Sequence, residues 1–184
     1  VADTPPTPRL GAEALFLLAR AEFSGKNFKE AANLFSQLET KYPDDLRVSE
    51  SRLQAAWAYS NSGLHDAAIK ASTAALEGTN SASMKPDVRA EYMYIRAGSY
   101  FQLLRYEDAV TWYGNAVAAD PNGPHAGNAH YQSALSLFRL GKFAESMAAL
   151  EPILTVAEFR ERALWLMAEA AVGAKDAEAA VQHY

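Results

Sequence analysis

From Arg9 onward, apolar residues recur at spacings of three and four, which gathers them on one face of an α-helix. The pattern is broken at Gly25-Lys26-Asn27, Pro43-Asp44, Gly63, Thr79-Asn80-Ser81, Pro121-Asn122-Gly123-Pro124, Gly141 and near Thr155. These breaks predict ten helices: 9–24, 27–41, 45–62, 64–77, 86–104, 106–119, 123–140, 142–154, 156–173 and 176–184. Two starts carry a capping signature. Asn27 stands three residues before Glu30, and Thr155 three before Glu158, so each side chain is placed to bond free N–H groups at a helix start. Residues 1–8 read VADTPPTP; their three prolines forbid a helix and predict a stiff, extended linker.

The predicted helices pair, and the pairs repeat. Asn27-Phe28-Lys29-Glu30-Ala31 aligns with Leu64-His65-Asp66-Ala67-Ala68, with Arg105-Tyr106-Glu107-Asp108-Ala109 and with Lys142-Phe143-Ala144-Glu145-Ser146. The small residue closing each segment recurs at Ala31, Ala68, Ala109, Ser146 and Ala180, in steps of 37, 41, 37 and 34 residues. The first helix of each pair has its own small position: Ala19, Ala56, Ala97, Ala134 and Ala168. A methyl group there lets two helix axes approach to roughly 8–9 Å. It also leaves a hole for a large neighbour such as Phe28, Tyr106 or Phe143. Pro43 and Pro121 lack an N–H and help end the second helices.

This register resembles the tetratricopeptide repeat, an array of helix–turn–helix units about 34 residues long. The third unit carries the resemblance best, with Ala97, Tyr100, Tyr106, Ala109, Tyr113, Ala116 and Pro121 in order. The first offers Ala19, Phe28, Ala31, Phe35, Leu38 and Pro43; the second Ala56, Tyr59, Gly63, Ala68 and Ala75; the fourth Ala134, Leu137, Gly141, Phe143, Ser146 and Leu150. Glu22, His65 and Ser72 depart from it, standing where aromatics are expected. The resemblance implies an all-α right-handed superhelix of antiparallel helix pairs, about four and a half repeats over 9–184, at 12–45, 49–82, 90–123, 127–157 and, in part, 158–184.

It also implies a concave groove lined by the first helices. Carried over residue by residue, the groove positions are Phe16, Arg20 and Phe23; Leu53, Trp57 and Ser60; Tyr94, Gly98 and Phe101; Tyr131, Leu135 and Phe138; Trp165, Glu169 and Val172. Gln54, Gln132, Arg139 and Arg162 stand beside them as polar contacts. Such a groove suits an extended or helical peptide of a protein partner. A helix packed on both sides needs apolar residues too, so Trp57, Tyr94 and Tyr131 can face either groove or core, and Phe101 and Phe138 are expected to be mostly packed. The Lys/Asn clamp by which chaperone-binding members hold a terminal carboxylate is missing: its places hold Phe16, Arg20, Gln54, Glu91 and Ile95. Lys41-Tyr42-Pro43-Asp44-Asp45 resembles helix endings in bacterial envelope members, including outer-membrane assembly and Tol–Pal-associated factors. That implies a periplasmic or cell-envelope setting, with the cytoplasm as the alternative.

Composition agrees with the helices. The 37 Ala and 19 Leu against 8 Val and 3 Ile disfavour a sheet-rich fold. A net charge of −5 argues against a nucleic-acid binder, and no run of 18 apolar residues is present to insert in a membrane. Without Cys there is no disulfide or thiolate chemistry. His65, His125, His130 and His183 make no HExxH and no i, i+4 pair, so no metal site is expected. Asp44-Asp45 and Glu107-Asp108 read as dipole-matched helix starts. No phosphate loop or nucleophile elbow occurs; no cofactor is expected, and the chain is read as a non-enzyme. Residues 78–86 form the longest break and read as a tolerated loop. The expected function is a scaffold for a protein partner. The alternative is a spacer of a longer solenoid, self-associating through an open C-terminal repeat.

Overall fold

In the computed structural model, residues 8–78 and 81–175 are described. They form nine α-helices: α1 (Pro8–Ser24), α2 (Phe28–Lys41), α3 (Val48–Asn61), α4 (His65–Glu77), α5 (Pro86–Gln102), α6 (Tyr106–Ala119), α7 (Ala126–Arg139), α8 (Phe143–Leu150) and α9 (Ala157–Gly173). Short 3-10 turns lie at Ser81–Ser83 and Glu151–Ile153, and no strand occurs among the described residues. Of the expected linker at 1–8, residues 1–7 lie outside them, as do the tenth helix at 176–184 and the small position Ala180; Pro8 instead opens α1, at a helix start where a missing N–H costs nothing.

The chain divides into two units, residues 1–81 with α1–α4 and residues 82–184 with α5–α9. Inside each unit every helix packs on the next in sequence. In the second unit the alternate helices also touch, α5 on α7 and α7 on α9. A short turn between packed neighbours makes each pair antiparallel.

One backbone device makes the turns of the pairs α1–α2, α3–α4, α5–α6 and α7–α8, and its left-handed residue recurs after α9. A residue in the left-handed region stands at Lys26 (φ 63°), Gly63 (φ 78°), Leu104 (φ 60°), Gly141 (φ 74°) and Lys175 (φ 62°), in the same steps of 37, 41, 37 and 34 as the repeat. The first four close with the same two bonds. At Gly141, for example, its N–H donates to Phe138 O (2.9 Å) and the Lys142 N–H to Leu137 O (3.0 Å). This is the Schellman closure, which satisfies the last helix carbonyls. In the first turn the left-handed residue is Lys26 and not its neighbour Gly25.

The small positions are where the helices meet. Ala19, Ala56, Ala97, Ala134 and Ala168 are all fully buried, as are Ala31, Ala68, Ala109 and Ser146. Ser146 does more than stay small: its hydroxyl donates across the pair to Ala134 O at 2.8 Å. Beside three of the turns an aromatic pair packs edge to face: Phe23–Phe28, Phe101–Tyr106 and Phe138–Phe143, with centroids 5.2, 5.4 and 5.5 Å apart. Ser60 and His65 take those places between α3 and α4.

Several expected boundaries move. The helix expected over 142–154 stops at Leu150, and Glu151–Ile153 continues as a 3-10 turn. Pro152 explains this, since it has no N–H for a carbonyl one turn back. The helices expected from 45 and from 123 begin at Val48 and Ala126. Both are preceded by two successive tight turns, Asp45 N to Tyr42 O then Val48 N to Asp45 O, and Gly123 N to Asp120 O then Ala126 N to Gly123 O. Asp44-Asp45 therefore lies in a turn rather than a helix start, while Glu107 and Asp108 do occupy the first turn of α6.

Both capping expectations fail. Asn27 makes no cap bond; its amide donates to Glu22 Oε2 at 2.7 Å, because the Schellman turn brings it back over α1. At α9 the cap position is Val156, not Thr155.

The Lys41–Asp45 ending has structural work of its own. The Tyr42 hydroxyl lies so close to α1 that a Cβ on Gly11 would strike it. Asp45 accepts from the Arg47 N–H (2.9 Å) and guanidinium (3.1 Å), and Arg47 reaches on to Glu13 (3.2 Å). The backbone bond from Arg47, aided by its charge, holds the Asp45 carboxyl below its ordinary range.

Candidate protein-binding face

One place in each first helix is expected to line the groove: Phe16, Leu53, Tyr94, Tyr131 and Trp165, again in steps of 37, 41, 37 and 34. These residues do not share one environment. In the first unit, Phe16 is buried at 6% exposure and meets Phe35 edge to face at 6.1 Å, inside the core of α1, α2 and α3. It is a core residue and offers a partner nothing. The large Phe35 opposite draws it inward, which the register could not reveal. Arg20 is exposed, its guanidinium 5.7 Å from the Phe16 ring. Gln54 and Trp57 are half-buried.

The second unit places its candidates otherwise. Tyr94 on α5 is half-buried, stacked on His125 at 4.7 Å and 19° and edge-on to Tyr113 at 5.6 Å. Tyr131 on α7 is half-buried beneath the Arg162 guanidinium of α9, 4.7 Å from its ring centroid. Trp165, one turn further along α9, is 56% exposed. Phe101 and Phe138 are half-buried, each spending one edge on the turn aromatic beside it. Gln132 is half-buried and Arg139 is exposed. Tyr94, Tyr131 and Trp165 thus stand on three successive first helices, with exposure greatest at Trp165.

Arg162 joins α9 to α7. Its Nη2 donates to Asn128 Oδ1 of α7 at 2.8 Å, and its plane covers Phe159 at 4.2 Å as well as Tyr131. Its charge reaches Tyr94, where it opposes the rise in hydroxyl pKa that burial causes. Burial raises Tyr113 well above the ordinary tyrosine value, and Tyr94 adds to that. His130 is held below the ordinary histidine value by burial, against a smaller opposing effect of its bond with the Ala149 backbone.

Asn128, His125 and Phe159 belong to this cluster and escaped the sequence reading. A signal for Asn128 was present: it precedes Arg162 by 34 residues, the last repeat step. Two concavities in the first unit lie elsewhere, one at the α1–α2 turn beside Lys26 and Asn33, one at the Tyr42–Arg47 turn. Among the described residues no three His, Asp or Glu side chains gather as a metal site, and no helix is long and apolar enough to cross a membrane.

Repeated antiparallel helix pairs, closed by one turn geometry and meeting at one set of alanines, define an α-hairpin repeat protein. Family profiles described as tetratricopeptide repeat match residues 13–45 and 53–124. The chain belongs to the tetratricopeptide-repeat family, whose repeats mediate binding of protein partners. Its fold is similar to that of MamA (TM-score 0.75, 17% identity, 94% of this chain and 87% of that one). It is also similar to the apo form of RapI (TM-score 0.81, 15% identity, 97% of this chain and 53% of that one). At these identities the likeness is one of fold. A search of curated proteins finds no match.

Proposed function

We propose that the chain is a scaffold that holds a segment of a protein partner against the first helices of its second unit. One observation carries this reading: an indole 56% exposed at Trp165, in repeat register with the half-buried rings of Tyr94 and Tyr131. A large ring left in water on a scaffold face is where a partner gains most on binding. Gln132, Phe138 and Arg139 border the row on α7, and Phe101 on α5. Taken by itself, the first unit offers Arg20, Gln54 and Trp57 as candidate contacts, with Phe16 withdrawn into its core. The repeat bounds of 12–45, 49–82, 90–123, 127–157 and 158–184 belong to the same proposal.

The test compares proteins captured by the wild-type chain with those captured by a Tyr94→Ala, Tyr131→Ala, Trp165→Ala variant of matched helicity. Partners recovered from the wild type are expected to be lost from the variant. Undiminished recovery would remove the groove from the account.

A second reading, self-association, rests on a different surface. Leu10, Leu17 and Leu18 of α1 are 58%, 56% and 49% exposed. Light scattering over a concentration series separates the two readings, since a strictly monomeric chain excludes assembly through α1. A bacterial envelope setting rests on the Lys41–Asp45 resemblance, whose residues also serve the α2–α3 turn.

A further inference from the structure

The arginines that pair with carboxylates give a measure for Arg162. Arg47 pairs with Asp45 and Glu13, Arg52 with Glu39, and Arg105 with Asp108. Arg162 pairs with no carboxylate among the described residues; its hydrogen-bond partner is the neutral Asn128 amide. The guanidinium is half-buried over two rings, and its Nε is shut off from solvent without a hydrogen-bond partner. A guanidinium carries five N–H donors, so most of this group's capacity is unspent. A cation withdrawn from water and left with a neutral partner gains strongly from an incoming anion. The rings and Asn128 already hold its plane, so little order remains to be imposed when the anion arrives.

We infer that Arg162 is the anchor for an aspartate or glutamate side chain of an extended partner segment, with Tyr94, Tyr131 and Trp165 taking that segment's apolar residues. The inference rests on the groove reading and adds the chemistry of the occupant. Charge complementarity selects it: the group beside the Tyr131 ring is a cation with no carboxylate partner among the described residues. The acidic neighbours on α9, Glu158 and Glu161, are exposed, and the guanidinium bonds Asn128 instead of either.

The probe is a random twelve-residue peptide library tethered through its C-terminus, so that no free terminal carboxylate competes, selected on the full chain. Enriched peptides are then made with amidated ends. The expected result is an Asp or Glu at one shared position. Changing that residue to its amide weakens binding about tenfold or more, the range of charge-assisted hydrogen bonds. Arg162→Met keeps the stem packed on the rings and produces the same loss, and the two changes together cost little more than either alone. The peptide-side change keeps the test valid even if the Met variant unfolds. Binders that lose affinity on Trp165→Ala yet ignore Arg162→Met overturn the carboxylate and leave the groove standing. Binders indifferent to both, or no enrichment, defeat both. Binding only when a free C-terminus is restored overturns the side-chain assignment.

Discussion

The seat of Arg162 can be tested without a partner, by adding a single methyl group to Gly127. A Cβ there would come within 2.6 Å of Phe159 Cζ, so the ring of α9 lies against the backbone of α7. Phe159 is 7% exposed in a core with Leu150, Ile153, Leu166 and Met167, and Arg162 rests 4.2 Å above it. The ring must move, and overpacking of this kind costs about 1–3 kcal/mol. Helix propensity works the other way, by at most about 1 kcal/mol and less in the first turn, where Gly127 stands. Gly114 of α6 supplies the control. It is exposed, helical and has nothing within 4 Å of its Cβ, so Gly114→Ala raises stability by about 0.5–1 kcal/mol. Both glycines lie in the second unit. Comparing the two variants cancels most of the propensity and unfolded-chain contributions and leaves the clash, roughly 2–12 °C in melting temperature at about 2–4 °C per kcal/mol. Circular dichroism melts at 222 nm measure it. If Gly127→Ala melts as high as Gly114→Ala, Phe159 is not pressed on α7 and the argument for a preset Arg162 fails.

Ser146→Ala looks harmless by alignment with Ala31, Ala68 and Ala109, yet it removes the bond to Ala134 O and is expected to cost about 0.5–1.5 kcal/mol in urea unfolding. Gly141→Ala meets nothing within 4 Å, so its cost is that of a left-handed backbone. That cost, about 1–2 kcal/mol, is offset by about 0.4–1 from the stiffer unfolded chain, leaving a loss of at most about 1.6 in the same assay. Because the folded state raises the pKa of Tyr113, its stabilising effect is whole below about pH 10 and is lost as the unfolded chain ionises above it; Tyr113→Phe is expected to flatten that alkaline loss in melts from pH 9 to 11. His130 is shifted the opposite way for its type: the unfolded chain takes up the proton first, so stability falls as pH drops below about 6.5. His130→Gln is expected to flatten that slope between pH 7 and 5, and an unchanged slope would count against the buried imidazole.

Much of this protein was legible in its sequence because the relevant signals are local and repeated. Apolar spacing predicts helices, and an alanine recurring once per hairpin marks where two helices must nearly touch. Those alanines are indeed fully buried. Boundaries were less legible where one backbone detail decides them, as at Pro152 and the left-handed Lys26. The candidate face lay beyond the register altogether. Phe16 and Trp165 hold the same repeat position, yet one is core and the other stands in water. A side chain's exposure depends on what the neighbouring helices bring opposite it, here Phe35 against Phe16. In the same way, Arg162 shows in the chain only as a charged residue on a helix. Packing of α9 on α7 sets it over two rings beside Asn128, and its partners are decided there, because compensation is a matter of distance in space and not of spacing along the chain.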